Sequence, residues 1–230
     1  MKSKKAFPYL KTAEIEASVE ELRTAYKEQN RGELFSPKMD EILKAFVHEG
    51  AHILDLGSSN GRIFSIIDRL QITPHTYGAD IADYLSVGKP RESFKTFNFS
   101  TDTFPYDDNT FDVITNIEVI EHLENPYHFL REVARILKPG GRLILSTPNP
   151  LHIYNRLSFL LRGKFYRFLD GNDHIMLFAH YVLTKGALRF FTLEATQYMF
   201  GEMPYRIFSK FTYPENSLFG RTVFYIFKKK

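Results

Sequence analysis

The stretch Ala51-His-Ile-Leu-Asp-Leu-Gly-Ser-Ser-Asn-Gly-Arg-Ile-Phe64 decides the fold. Ile53-Leu54 begins a short apolar run that reads as a buried strand. Asp55 and Gly57 follow, then a turn of small residues, Ser58-Ser59-Asn60-Gly61. Ile63, Phe64, Ile66, Ile67 and Leu70 recur at helical spacing. Strand, glycine-bearing turn and helix together aim backbone N–H groups and a positive helix end at a ligand. Gly57 and Gly61 suit positions that need positive φ or close backbone approach. As a glycine motif alone the turn is weak, because Ser59 stands where a G-x-G-x-x-G pattern has its middle glycine.

Outward from this turn the chain alternates. Thr76–Asp80 reads as a second strand ending in an acid, with a poorly marked helix after it because Gly88-Lys89-Pro90 interrupts. Phe94–Phe99 alternates as a third strand, and Phe111–Thr115 is a fourth. Pro126 opens a helix with Phe129, Leu130, Val133, Ile136 and Leu137 on one face, stopped by Pro139-Gly140-Gly141. Leu143–Thr147 is a fifth strand. Thr184 caps a helix expected through Leu188, Phe191 and Leu193, and Glu202–Phe211 with Arg221–Phe227 reads as an antiparallel closing pair. Before the first strand, residues 15–26 and 37–46 read as two helices, the second starting from Ser36-Pro37. The expected fold is α/β: a Rossmann-like, mostly parallel seven-stranded sheet with helices on both faces and an antiparallel C-terminal strand pair. One domain is expected: N-terminal helices over 1–50 that could form a partial lid, a core over 51–150, a cap insertion over 151–183, and closing elements over 184–230. Ligands of such sheets bind outside the carboxyl ends of the strands, where strand order reverses. Asp55–Gly61, Asp80, Asn98–Phe99 and Asn116–Glu118 all lie just past strand ends and are expected to converge there.

Composition narrows the function. The 230 residues contain no cysteine, which excludes disulfides, thiolate catalysis and thiolate-bound metals. No apolar run reaches transmembrane length and the N-terminus lacks a signal-peptide core, so a cytoplasmic protein is the expectation. The net charge of +3 hides an asymmetry: residues 1–150 sum to −4 and residues 151–230 to +7. The acidic part disfavours DNA and extended RNA contact. Residues 151–168 hold four basic residues, five aromatics and no acid. They read either as an ordinary solvated cap or as a contact with a membrane surface or an isoprenoid tail.

Taken in order, these segments resemble the class I S-adenosylmethionine-dependent methyltransferases, of the type 11 and type 23 kind. The resemblance covers about residues 50–150 and rests on Ile53-Leu-Asp-Leu-Gly57 with Gly61, Asp80, Phe97-Asn98-Phe99, Phe104–Asp112, Glu118-Val-Ile-Glu-His-Leu123, and Arg135–Gly141 leading to Ser146–Asn149. It implies S-adenosylmethionine as cofactor, with Asp80 on the ribose hydroxyls and the Gly57–Gly61 backbone at the methionine moiety. Asp55 fixes that loop, Ser58, Ser59 and Asn60 shape it, and Ile81, Asn98, Phe99, Asn116 and Ile117 complete the cofactor site. The acceptor implied is small or lipid-linked, methylated at oxygen. Glu118, Glu121 and His122 are expected on one helical face. Their Glu-x-x-Glu-His pattern is similar to ubiquinone-pathway O-methyltransferases, and also to small-RNA methyltransferases that use a divalent metal. A metal at Glu118, Glu121, His122 and His174 is the less favoured reading; His122 as base, with Glu121, is the favoured one. Two alternatives from other classes are a NAD-dependent oxidoreductase on a related sheet and a non-catalytic scaffold.

Overall fold

A computed structural model of the chain describes residues 32–83, 85, 87–163, 185–199 and 217–230. Its centre is a seven-stranded sheet: β1 (Ile53–Leu56), β2 (Thr76–Asp80), β3 (Ser93–Thr96), β4 (Phe111–Ile117), β5 (Leu137–Pro148), β6 (Phe191–Met199) and β7 (Thr222–Lys229), in the spatial order β3-β2-β1-β4-β5-β7-β6. The first five strands pair in parallel, while β7 runs antiparallel between β5 and β6. Strand order reverses between β1 and β4, so both chains leave the sheet there in opposite directions and open a crevice.

Side chains on a strand alternate between faces, and both faces here are buried. Leu54, Leu56, Ile114, Leu143 and Leu145 join one core with Phe129, Leu130 and Val133 of α3 (Pro126–Ile136) and the aromatic group Phe97, Phe99 and Phe104. Ile53, Val113, Ile144, Phe224 and Ile226 join the other, with Ile63, Ile66 and Ile67 of α2 (Arg62–Leu70) and Met39, Ile42 and Leu43 of α1 (Gly32–Phe46). Each fully buried side chain of this size contributes about 1.5–3 kcal/mol. Asn125 caps α3 by accepting from His128 N at 3.1 Å, and Pro126 fills its first position. The helix ends at Ile136, before the Lys-Pro-Gly-Gly stretch, because Leu137 already pairs with Phe111. The ladder then breaks and resumes at Arg142, opposite Val113.

Four elements differ from expectation. Pro37 lies inside α1 rather than at its first position. The third strand ends at Thr96: Asn98 Oδ1 accepts from Ser100 N at 2.9 Å, turning the chain so that Phe97 and Phe99 enter the core. Phe191 and Leu193 belong to a strand, not a helix, since β6 pairs with β7 from Phe191 to Met199, with one register shift between Leu193 and Ala195. Between β2 and β3 there is no helix among the described residues, and the chain crosses as a strap. A fifth structural element, α4 (Ile153–Arg162), occupies the start of the expected cap; its C-cap Gly163 is left-handed. The helix expected over 15–26, Thr184, the strand expected over 202–211 and His174 lie outside the described residues. No described helix is long and apolar enough to cross a membrane.

Candidate cofactor and acceptor site

The turn after β1 is tied to β2. Gly57 N and Ser58 N both donate to Ala79 O, at 2.8 and 3.2 Å, and Gly61 N closes the turn on Ser58 O at 2.8 Å. Gly57, Ser59 and Gly61 have φ of 87°, 46° and 84°. Glycine is required twice for different reasons. A Cβ on Gly57 would collide with the Val119 side chain, and one on Gly61 with the Gly88 carbonyl. Ser59 tolerates its left-handed backbone because its N–H is fixed by Asp80 Oδ2 at 2.8 Å. The other Asp80 oxygen accepts from Ile81 N at 2.7 Å. Asp80 thus holds the turn while remaining half-exposed at the crevice.

Beneath the turn lies a buried acid. Asp55 accepts from Thr115 Oγ1 at 2.6 Å, across the β1–β4 gap. Burial pushes its carboxyl up to about 7, the nearby charge of Asp80 adds to this, and the Thr115 and Ser58 hydroxyls work against it. Next to it Asn116, fully buried, donates from Nδ2 to Leu56 O at 2.9 Å, whereas its Oδ1 has no partner. A buried acceptor without a donor, at the point where strand order reverses, fits a ligand that brings an N–H.

The far wall is built by β4 and β5. Glu118 leaves β4 with φ of 56°. Its N–H donates to Ser146 O and Ser146 Oγ at 3.2 and 3.1 Å, and Ser146 Oγ donates to Glu118 Oε1 at 2.9 Å. Glu121 is buried beside it. Burial, then the Glu118 charge, holds the Glu121 carboxyl well above the usual carboxylate range, only partly offset by the Thr147 hydroxyl. Glu121 Oε2 has no partner.

The family described as "Methyltransferase domain" matches residues 26–196. The chain belongs to that methyltransferase family. The chain is 34% identical over 108 residues to a ubiquinone biosynthesis O-methyltransferase of Maricaulis maris, covering 44% of this chain and 42% of that protein. It is 30% identical over 134 residues to a demethylmenaquinone methyltransferase of Symbiobacterium thermophilum, covering 54% and 53%. The chain spans about half the length of the curated relatives it matches. In fold it is similar to a SAM-dependent methyltransferase of Archaeoglobus fulgidus, with a TM-score of 0.63 at 15% identity, covering 90% of this chain and 99% of that one. The motif series that implied this family lies within the matched residues.

Within this methyltransferase the expected residues fall into four groups. Asp55, Gly57, Ser58, Ser59, Asn60, Gly61, Asp80, Ile81 and Asn116 gather around the turn and the crevice. Asn98 and Phe99 stand one loop away, where the Asn98 carbonyl already serves Ser100 N and the Phe99 ring packs against Phe97 and Phe104. Ile117 packs against the second core. The Glu-x-x-Glu-His segment departs from expectation: Glu118 precedes a three-residue 3-10 helix, Ile120–His122, so the three side chains do not share one helical face. Only five residues lie between Ile117 and Leu123, and Ile120 and Leu123 both reach the core. A three-residue repeat achieves that in one turn. Among the described residues no group of three or more His, Asp and Glu is arranged to hold a metal ion.

Residues not singled out from sequence include Thr115, Ser146, Thr147 and Gly88. For the first three a signal existed: hydroxyls end two apolar runs that a parallel sheet should keep apolar on both faces. Gly88 also bears on the dinucleotide alternative. Its carbonyl packs against Gly61, the N-cap of α2, where a pyrophosphate would need open space.

Proposed function

We propose that the chain transfers the methyl group of S-adenosylmethionine to a hydroxyl of a small or lipid-linked acceptor. The observation that carries the reading is the unpartnered Asn116 Oδ1 at the reversal point, beside a glycine turn with no space for a side chain. The cofactor's ammonium supplies the missing donor, Asp80 accepts from the ribose hydroxyls, and the Gly57–Gly61 backbone lies along the methionine moiety. Ile81, Asn98, Phe99 and Ile117 flank the adenosine side, Phe99 through its backbone. When bound, the cofactor supplies an activated methyl on a sulfonium. His122 would take the proton of the acceptor hydroxyl as that oxygen is methylated. Glu121, neutral through burial, offers a hydrogen bond to the acceptor. Alignment of oxygen, carbon and sulfur can contribute about 7–11 kcal/mol to such a step.

The relatives named for ubiquinone and demethylmenaquinone support a quinone-type small acceptor. A lipid-linked acceptor is supported by α4, which exposes Leu157, Phe159, Leu160 and Leu161 between Arg156 and Arg162. Leu160 and Leu161 are 79% and 77% exposed. This arrangement suits a cytoplasmic protein that meets the membrane surface, with neither DNA nor RNA as partner. Calorimetry with S-adenosylhomocysteine tests the cofactor site, and mass spectrometry of quinol-type acceptors for the gain of one methylene tests the reaction. Binding of NAD in place of S-adenosylhomocysteine, or cofactor binding without turnover on any acceptor, would overturn it.

A further inference from the structure

The cofactor turn is under strain, since three of its five residues from Gly57 to Gly61 have positive φ and one of them, Ser59, is not glycine. From the crevice side it is held by Asp80. From outside it is held by the strap that replaces a helix between β2 and β3. Val87 N and Gly88 N both donate to Asn60 O, at 2.8 and 3.3 Å. Ser65 Oγ donates to Val87 O at 3.2 Å, binding the strap to the first turn of α2. Farther along, Arg91 pairs with Asp68 of α2 at 2.9 Å, and its N–H donates to Thr76 Oγ1 at 2.8 Å. Gly88 and Gly61 pack backbone to backbone. A Cβ on Gly88 would lie 2.6 Å from Ser65 Oγ and 2.9 Å from Ser65 N, and nearer still to Gly61 O. No side chain fits without lifting the strap.

We propose that the Val87–Gly88 segment is a positioning element for the cofactor turn, and that Gly88 is the residue on which its seating depends. This rests on the reading of the crevice as the S-adenosylmethionine site. Asp80 begins the strap and Val87–Gly88, midway along it, grip Asn60, so the acid for the ribose and the turn for the methionine moiety are joined through the strap. Lifting the strap frees Asn60 O, lets Ser59 relax out of its left-handed conformation and moves the backbone away from the ligand.

Calorimetric Kd values for S-adenosylhomocysteine test this on the full chain, well below the melting temperature. Gly88→Ala is expected to raise Kd about tenfold, the effect of one misplaced hydrogen-bonding group. Ser65→Ala, which adds no bulk, is expected to raise it severalfold, while Ser65→Thr keeps the hydroxyl and the wild-type Kd. Hydrogen exchange at Ser59–Gly61 should quicken in Gly88→Ala without ligand. Arg69→Ala, which removes a surface ion pair with Asp40 at 2.6 Å, serves as a control that lowers stability and leaves Kd unchanged. If Gly88→Ala does not fold, Ser65→Ala decides. Wild-type Kd in the folded variants overturns the strap's role and leaves the cofactor reading intact. A wild-type chain that does not bind S-adenosylhomocysteine overturns both.

Discussion

Asp55 gives the sharpest prediction, because its environment sets both a sign and a size. The carboxyl is fully buried, and lifting it from 3.8 to about 7 corresponds to about 4 kcal/mol. In the unfolded chain it loses its proton near 3.8; in the folded chain it keeps it to about 7. Between those values the folded state holds more protons, so stability must fall as pH rises through that window. The stabilising difference is complete below 3.8 and gone above about 7. Asp55→Asn keeps an oxygen for the Thr115 hydroxyl and cannot ionise. Its stability should match wild type in acid and exceed it above neutrality by up to about 4 kcal/mol, or roughly 8–16 °C for a chain of this size. Glu121 is lifted in the same direction, but it is present in both proteins and cancels in the difference. Calorimetric melting of both, without cofactor, from acid to mildly alkaline pH measures this. Parallel curves across the window would refute a buried, proton-holding Asp55.

Asp80→Ala removes two charge-assisted acceptors, each worth about 1.5–3 kcal/mol, and should lower S-adenosylhomocysteine affinity by orders of magnitude in calorimetry; part of that loss reflects the freed Ser59 N–H. Gly57→Ala drives its Cβ into Val119, so the double variant with Val119→Ala should regain part of the lost affinity, with the remainder due to positive φ. Once an acceptor is known, exhaustive chelation should leave turnover unchanged and His122→Ala should be more damaging than Glu118→Ala; chelator-sensitive turnover restored by Mg²⁺ would reverse the assignment of His122 as base. Sedimentation with anionic vesicles should be salt-sensitive and weaken on Arg156→Ala and Arg162→Ala by about 1 kcal/mol each, and no binding at low salt would leave α4 as a solvated cap.

Much of this was legible in the chain because local chemistry and global fold agree. Gly57 and Gly61 read as positive-φ positions and are so. The alternation of strands and helices up to Thr147 reads as a parallel sheet and forms one. What escaped was set by partners distant in sequence. Leu188 and Phe191 carry helical spacing, but Phe191 and Leu193 lie two apart, the strand period, and the ladder with β7 decides for strand. The Glu118–His122 segment has the spacing of a helical face, yet Ser146 holds Glu118 in a left-handed conformation from another strand. Gly88 reads as a helix interruption and Gly61 as a close-approach position, but that the two approach each other is a tertiary contact that neither marks in sequence.

The two margins of the sheet have a further meaning. On one side the last strand, β3, is four residues long. On the other, the β6 ladder shifts register between Leu193 and Ala195, and Glu194 is drawn into an ion pair with Arg142 at 2.7 Å. A short margin and a bent, charged one both make poor templates for a foreign strand. A chain carrying 22 phenylalanines and the apolar run Val223–Phe227 in β7 would otherwise risk sheet growth from molecule to molecule. Here β7 lies enclosed between β5 and β6, and among the described residues the strands at the two margins are those least able to recruit another. Straightening β6 by deleting Glu194 would remove the bend and the charge together and turn that margin into a site of aggregation.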